Sequence, residues 1–170
     1  QLATTNEFEI LTVAGGASSS SNTYTTGGGG GGPVNNQTAQ ALTEAAYTIT
    51  VGAGGAQISF NAFGALGNHG SDSSVKLASN NSIIVESDIS DLTNGDDSQV
   101  HGDGTTSTRH QGGASFKVVN GTTTQYTGGS GASANAGGGG AGAGSNGNVP
   151  PSLNTGGTGG DGFATTITGS

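Results

Sequence analysis

The chain contains no cysteine, no methionine and no tryptophan among its 170 residues. Without cysteine there is no disulfide framework and no thiolate ligand for a metal, and the redox compartment stays undetermined. Positive charge is also scarce, because 3 Lys and Arg residues stand against 11 Asp and Glu residues, for a formal net charge of −8. Nucleic-acid binding needs a basic surface, so this class of function is excluded.

Large apolar side chains are few, since aromatic residues make up 5% of the chain and all hydrophobic residues 29%. Leu, Ile, Val and Phe together fall below the roughly 20% at which an ordinary hydrophobic core becomes doubtful. No run of about 18 apolar residues is present, so we expect no insertion into a membrane. Side-chain burial alone is therefore not expected to fold this chain.

Glycine is what the chain has in excess, with 36 residues, and the stretch "TTGGGGGGPV" carries an uninterrupted run over residues 27–32. Such a run has two interpretations. One is a flexible, disordered linker. The other is an ordered segment in the polyproline-II conformation that packs beside similar segments, since no Cβ keeps the backbones apart. We predict the second, with residues 27–32 as packed framework.

Short strands are predicted by alternating side chains. In "NEFEILTVAGG", Phe8 and Ile10 alternate with Glu7 and Glu9, and "AAYTITVGAGG" predicts a strand over residues 47–51 with apolar anchors. Further strands are predicted in "SVKLA", in "SIIVES", and over residues 57–60 and 163–168. No helix of normal length is indicated, although "ESDISDL" is compatible with one short helical turn. The predicted fold class is all-β, with short strands and polyproline-II or polyglycine-II segments and no regular helix bundle.

The clearest local signal is Asn120-Gly121, which lies between two β-prone runs and predicts a type I′ hairpin. Its strands are expected near residues 114–119 and 122–127. Acidic residues concentrate in the preceding stretch, which we interpret as an insertion at about residues 66–112. The domain prediction is one glycine-rich β domain over residues 1–170 that carries this acidic insertion and is a segment of a longer fibre protein.

No motif for catalysis is found, because the chain lacks a G-x-S-x-G nucleophile elbow and a G-K-[ST] phosphate loop. We therefore predict no enzymatic activity and no cofactor. "GGTGGDGFA" fits one copy of the calcium β-roll nonapeptide, which requires tandem copies; the alternative is a glycine-rich turn with Asp161 exposed.

A second candidate metal site lies in "TNGDDSQVHGDG", where oxygen ligands that calcium prefers come from Asp96, Asp97 and Asp103. The alternative is a solvated acidic loop. Zinc bound through His101, Asp103 or His110 is disfavoured, since no cysteine and no i, i+4 histidine spacing supports it.

Several blocks occur in an order that resembles a known family. "FEILTVAGGASS" followed by "TEAAYTITVGAGG", and later "GGGGAGAGSNGN" and "NTGGTGGDGFATTITGS", are similar to the glycine-rich domain of phage tail-fibre and virion proteins. The resemblance covers roughly residues 7–56 and 128–170, while residues 57–127 depart from it. It implies a structural and adhesive element of a fibre, located in the virion, with polyglycine-II strands supporting a receptor-binding tip.

This resemblance leads to the first functional hypothesis, which is host-surface recognition by loops on a glycine framework. The partner would be a host-cell surface glycan or protein, and repeated copies of weak contacts would gain by avidity. The candidate receptor-binding residues are His69, Asp96, Asp97, His101, Arg109 and His110.

Two other hypotheses stay open. The chain could instead be a self-assembling subunit of an extracellular filament, in which an edge strand such as residues 7–13 completes a neighbour's sheet. Self-association is expected in either case, as a homotrimer for a fibre or as an open polymer for a filament. A third hypothesis is ice binding through flat Thr and Ala faces, although the Thr residues show no sustained triplet repeat.

Overall fold

The computed structural model describes residues 6–19, 26–58, 67–89, 111–131, 136–152 and 154–167. In this part of the chain, short strands form a 4-stranded and a 3-stranded sheet without any helical element. The strands are β1 (Asn6–Val13), β2 (Val34–Leu42), β3 (Tyr47–Thr50), β4 (Ser73–Leu77), β5 (Ile83–Ser87), β6 (Ser115–Val119) and β7 (Thr122–Tyr126). The predicted all-β class is confirmed for the described residues.

The larger sheet has the strand order β1-β2-β6-β7. β1 pairs antiparallel with β2, and β2 pairs parallel with β6. A β-bulge interrupts the first pairing between Phe8 and Ile10, opposite Ala39, whose φ is 54°. Burial increases along the predicted inner face of β1, from exposed Phe8 through half-buried Ile10 to buried Thr12. The predicted strand is thus confirmed, although burial rises along it and does not alternate, and the N-terminal end of β1 extends beyond the packed region.

The smaller sheet has the order β3-β4-β5 and is antiparallel throughout. It is joined to the larger sheet by polar contacts: Asn35 Nδ2 donates to the carbonyl oxygen of Glu86 at 2.7 Å, and Ser73 Oγ donates to that of Val13 at 2.7 Å. The strands predicted in "SVKLA" and "SIIVES" are confirmed as β4 and β5. The first half of the acidic stretch is therefore hydrogen-bonded to β3 and to the larger sheet.

The predicted hairpin is also confirmed. Val119 pairs with Thr122, so the connection between β6 and β7 consists of Asn120 and Gly121, with φ of 47° and 78°. Positive φ at both positions defines the type I′ turn, whose twist matches that of the flanking strands. The Asn120 side chain further accepts a hydrogen bond from the backbone N–H of Thr38 at 2.8 Å, which fixes the turn against β2.

Replacing Gly121 by alanine is expected to lower the free energy of unfolding by about 1 kcal/mol, because a Cβ is unfavourable at this φ even though nothing crowds the position. Urea titration followed by circular dichroism measures the change. Thr123→Ala, on the exposed face of β7, is the matched control and is expected to change stability less. Equal midpoints for the two variants would contradict a conformational requirement at the turn.

Between the strands, glycine-rich segments run side by side and exchange backbone hydrogen bonds. We name them g1 (14–18), g2 (26–33), g3 (51–56), g4 (67–72), g5 (111–114), g6 (127–131), g7 (136–144), g8 (145–149) and g9 (155–162). Bonds between two segments recur at steps of three residues. The examples are Gly28 to Gly138 and Gly31 to Ala141 between g2 and g7, and Gly157 to Gly137 and Gly160 to Gly140 between g9 and g7.

A step of three is the repeat of the polyproline-II helix, which has three residues per turn and makes no internal hydrogen bonds. The step therefore indicates polyglycine-II geometry for g2, g7 and g9, and in the bundle of g1 to g9 backbone hydrogen bonds run between neighbouring segments. Segment g7 lies at its centre, since residues 136–143 are all buried. The run 27–32 belongs to g2 and is packed framework, as predicted.

Apolar burial is small beside this backbone packing. Phe116 is the largest side chain that is fully buried in the described part, at 1% exposure, with Ile89 and Val118 packed against it. The predicted apolar anchors on β3 are wrong, because Ile49 and Val51 are 71% and 81% exposed. No described segment covers that face of the smaller sheet.

Three further expectations differ from the structure. Residues 163–167 form no strand, and neither do residues 57 and 58, while the rest of both predicted ranges lies outside the described residues. β2 was not predicted at all, because Val34–Leu42 shows no apolar alternation. In the stretch "ESDISDL", Glu86 and Ser87 are the last residues of β5, and residues 90–92 lie outside the described part.

Candidate functional site

The predicted recognition residues fall into two groups. Asp96, Asp97, His101, Asp103, Arg109 and His110 lie in residues 90–110, outside the described part of the chain. His69 and Asp161 lie within it, in g4 and g9. Because the first group lies outside the described residues, its receptor-binding and calcium assignments stay predictions.

The chain is firmly attached on both sides of residues 90–110. On one side, the backbone N–H of Ile89 donates to the Asp72 carboxylate at 2.9 Å, and the Ile89 side chain packs against Phe116. On the other, the Gly112 N–H donates to the Gly129 carbonyl at 2.9 Å, and the Gly113 N–H donates to that of Gly28 at 2.8 Å. Since Phe116 follows shortly after Gly113 in sequence, both attachment points belong to the same region of the framework.

These attachment residues were not identified from the sequence. Asp72 was counted only as part of the acidic stretch, although its carboxylate accepts a backbone hydrogen bond that orients the end of the β5 segment. Ser73 has a similar role, since its Oγ accepts from the Gly52 N–H at 2.8 Å and donates to the Val13 carbonyl. No sequence pattern marks such contacts, because each joins residues far apart in the chain.

His69 occupies a different setting from the exposed loop that was expected. It is half-buried in g4 and lines a cavity of about 10 Å³ together with Gly15, Ala17, Pro33 and Ile89, among others. A cavity of this size is at most large enough for one water molecule. The geometry places the His69 ring against the glycine framework, near the attachment point at Ile89.

Asp161 lies in g9 and contacts g8. Its carboxylate accepts a hydrogen bond from Ser145 Oγ at 3.3 Å, and its backbone N–H donates to the same Oγ at 2.7 Å. Thr158, three residues earlier in g9, also contacts g8, because Asn148 Nδ2 donates to Thr158 Oγ1 at 2.8 Å. The motif read as a calcium nonapeptide is thus part of a polyglycine-II segment whose polar side chains bond to g8.

Charged groups elsewhere in the described residues are few and dispersed. Lys76 pairs with Glu86 across β4 and β5 at 2.9 Å, and the Lys117 ammonium lies over the rings of Tyr126 and Phe163 at 5.6 and 5.4 Å. No group of three or more His, Asp or Glu side chains suited to a metal ion occurs among the residues that the structure covers. Within the same residues, no helix has the length and hydropathy needed to cross a membrane.

The sheets, the bundle and the attached acidic segment together define an all-β protein whose interior consists mainly of glycine backbone. The chain belongs to the glycine-rich domain family, whose model matches residues 2–170. The match extends over residues 57–127, which the resemblance noted from sequence blocks had left out. Comparison with curated proteins and with solved structures gives no significant match.

Proposed function

We propose that this protein is a structural and adhesive module of a phage tail fibre or another virion protein, and that residues 90–110 carry its host-surface contacts. The observation behind this proposal is the attachment of both flanks of that segment to one region of the glycine framework. A framework built from backbone hydrogen bonds leaves sequence in connecting segments free to vary, which suits recognition.

The composition of residues 90–110 supports a binding role over a purely structural one. The segment contains Asp96, Asp97, His101, Arg109 and His110, in a chain with only 3 Lys and Arg residues and 3 His residues in total. Carboxylate, imidazole and guanidinium groups are the hydrogen-bonding partners that glycan hydroxyls and protein surfaces engage. The concentration of these groups outside the glycine segments separates recognition from folding.

The test replaces residues 90–110 by a Gly-Ser linker of about eight residues, whose root-mean-square reach of about 16 Å suits two nearby attachment points. The variant keeps β4 and β5. We expect its melting temperature to stay close to that of the unaltered protein, while binding to host cells, measured by flow cytometry, is lost. Retained binding at the same concentration would place the recognition surface elsewhere.

Localisation is tested separately, by electron microscopy of the native source labelled with an antibody against residues 90–110. Label on virion tails or fibre tips supports the proposal. Label that repeats along free filaments contradicts it and favours the alternative of a filament subunit. A specific observation favours that alternative: β1 is an edge strand of the larger sheet, with Phe8 and Val13 exposed on it.

A further inference from the structure

The segments around g7 form a ring that is open at one place. Successive members of the ring bond to each other: g5 to g2, g5 to g6, g8 to g6, and g8 to g9. Segments g2 and g9 are the two ends of this series. Parallel polyproline-II rods of equal diameter pack six around one, so g2, g5, g6, g8 and g9 leave one position beside g7 vacant.

A groove lies where the vacant position is expected. Its volume is about 790 Å³, and its walls are g2 on one side and g9 on the other, with residues 137–143 of g7 as the floor. Val13, Val34 and Phe163 also line it. Since the lining is otherwise almost entirely glycine, the groove exposes backbone rather than side chains.

The floor of the groove has hydrogen-bond donors without an acceptor in the part of the chain that the structure describes. The carbonyl groups of g7 accept hydrogen bonds from N–H groups of g9, g2 and g6. In the other direction, the N–H group of Gly139 donates to g8 and that of Ala141 donates to g5. The remaining set is the N–H groups of Gly137, Gly140 and Ala143, which have no acceptor among the described residues. All three residues lie on the floor of the groove, so an occupant of the groove is in position to accept hydrogen bonds from their N–H groups.

In the wall formed by g9, three glycines lie at positions where a larger side chain would not clash with the rest of the chain. A Cβ built on Gly156 or Gly159 would be 3.9 or 3.7 Å from its nearest neighbour, and one on Gly162 would meet nothing within 4 Å. These residues recur every three positions and are exposed, while Thr158 and Asp161 turn toward g8. One face of g9 is therefore bare backbone, which allows another backbone to approach closely.

We propose that the groove binds g9 of a second copy of this chain, so that each g9 fills the vacant position beside g7 of the partner. The occupant must be a polyglycine-II segment, because a side chain on the facing positions would keep its carbonyls away from the floor. Segment g9 has this character, and residues 156–162 equal in number the floor residues 137–143. Both therefore have the same length at about 3.1 Å per residue.

The geometry closes as a two-fold dimer. In a hexagonal array, a two-fold axis parallel to the segments and midway between the two copies of g9 puts each g9 beside the partner's g7 and g2. No two ring segments of the two copies then occupy the same position. Such an interface is self-complementary and ends at two copies, in contrast to a head-to-tail contact. This inference is independent of the proposed adhesive function.

The test is sedimentation equilibrium of the full chain over micromolar to millimolar concentrations, comparing Gly159→Leu with Gly54→Leu. The control is matched, because a Cβ on Gly54 lies 3.8 Å from its nearest neighbour and Gly54 is in g3, outside the groove. We expect the unaltered protein and Gly54→Leu to be dimers. Gly159→Leu is expected to weaken the dimer by about 100-fold, which corresponds to about 2.7 kcal/mol and is within the range for a side chain forced into a closed contact.

Hydrogen exchange of the unaltered protein gives a second measurement that does not depend on a variant folding. The amide protons of Gly137, Gly140 and Ala143 are expected to be protected where the dimer is populated and to exchange on dilution. A monomer at all concentrations, equal dimerisation of the two leucine variants, growth beyond two copies, or protection that persists in the monomer would each overturn the proposal. The last result would place a segment of the same chain in the groove.

Discussion

Gly138→Ala is expected to be the most destabilising glycine-to-alanine change in the part of the chain that the structure describes. A Cβ at Gly138 would overlap the carbonyl oxygen of Gly129, which belongs to g6 and itself accepts a hydrogen bond from Gly112. The obstacle is backbone on a packed segment, so no rotamer change relieves it. We expect a loss of at least about 4 kcal/mol, a size reached only by disruption of packed structure, or failure to fold.

Gly54→Ala is the control for this prediction. It adds the same methyl to a glycine segment at a site where the nearest atom is 3.8 Å from the new Cβ, and the φ there is not positive. Removing a glycine at a compatible position restricts the unfolded chain, so this variant is expected to gain about 0.4 to 1 kcal/mol. Thermal unfolding followed by circular dichroism compares the two. If Gly138→Ala melts within a few degrees of the control, g7 is not the packed centre of the bundle.

The contrast between these two glycines shows why the bundle could be predicted only in part. An ordered run at residues 27–32 was one of two interpretations that the composition allows, because a chain with so few apolar side chains is either disordered or ordered by its backbone. Which glycine touches which segment does not follow, since Gly138 and Gly54 have similar sequence neighbours and opposite environments. The arrangement depends on register between distant segments that look alike in sequence.

Strands were predictable where their signal is local. The signals for the turn at Asn120-Gly121 and for the strands β1 and β3 are contained in a few neighbouring residues, and the turn and both strands were found. β2 has no such signal, because its polar side chains, such as Asn35 and Asn36, make specific contacts with Glu86 and Glu9 instead of facing a hydrophobic core. Its position in the middle of the sheet depends on β1 and β6.

The same distinction applies to g9. "GGTGGDG" was interpreted through its likeness to a calcium nonapeptide, and the residues after it as a strand. A glycine pair followed by one other residue, repeated, also fits a period of three, which places Thr158 and Asp161 on one side. That signal was present in the sequence, and the vacant position beside g7 was not.

Phe116→Ala is the second change for which we expect a large effect. Phe116 is 1% exposed and contacts Ile89 and Val118, so alanine removes the largest buried side chain of the described part and leaves a cavity. The expected loss is about 3 to 5 kcal/mol. Because Ile89 is the attachment point before residues 90–110, we also expect faster hydrogen exchange at the Ile89 amide than the global loss of stability explains.

Phe116→Leu separates lost volume from lost attachment. Leucine keeps most of the apolar contact with Ile89, so the variant is expected to lose less stability than Phe116→Ala and to retain slow exchange at the Ile89 amide. Urea titration gives the free energies, and hydrogen exchange measured by nuclear magnetic resonance gives the local opening. If Phe116→Ala lowers stability without any extra exchange at Ile89, the Phe116 side chain stabilises β6 alone. The hydrogen bond to the Asp72 carboxylate then holds Ile89 in place without help from Phe116. If both variants lose less than about 1 kcal/mol, as is usual for changes at the protein surface, the small apolar cluster has no important part in the fold and backbone packing of g7 carries the stability.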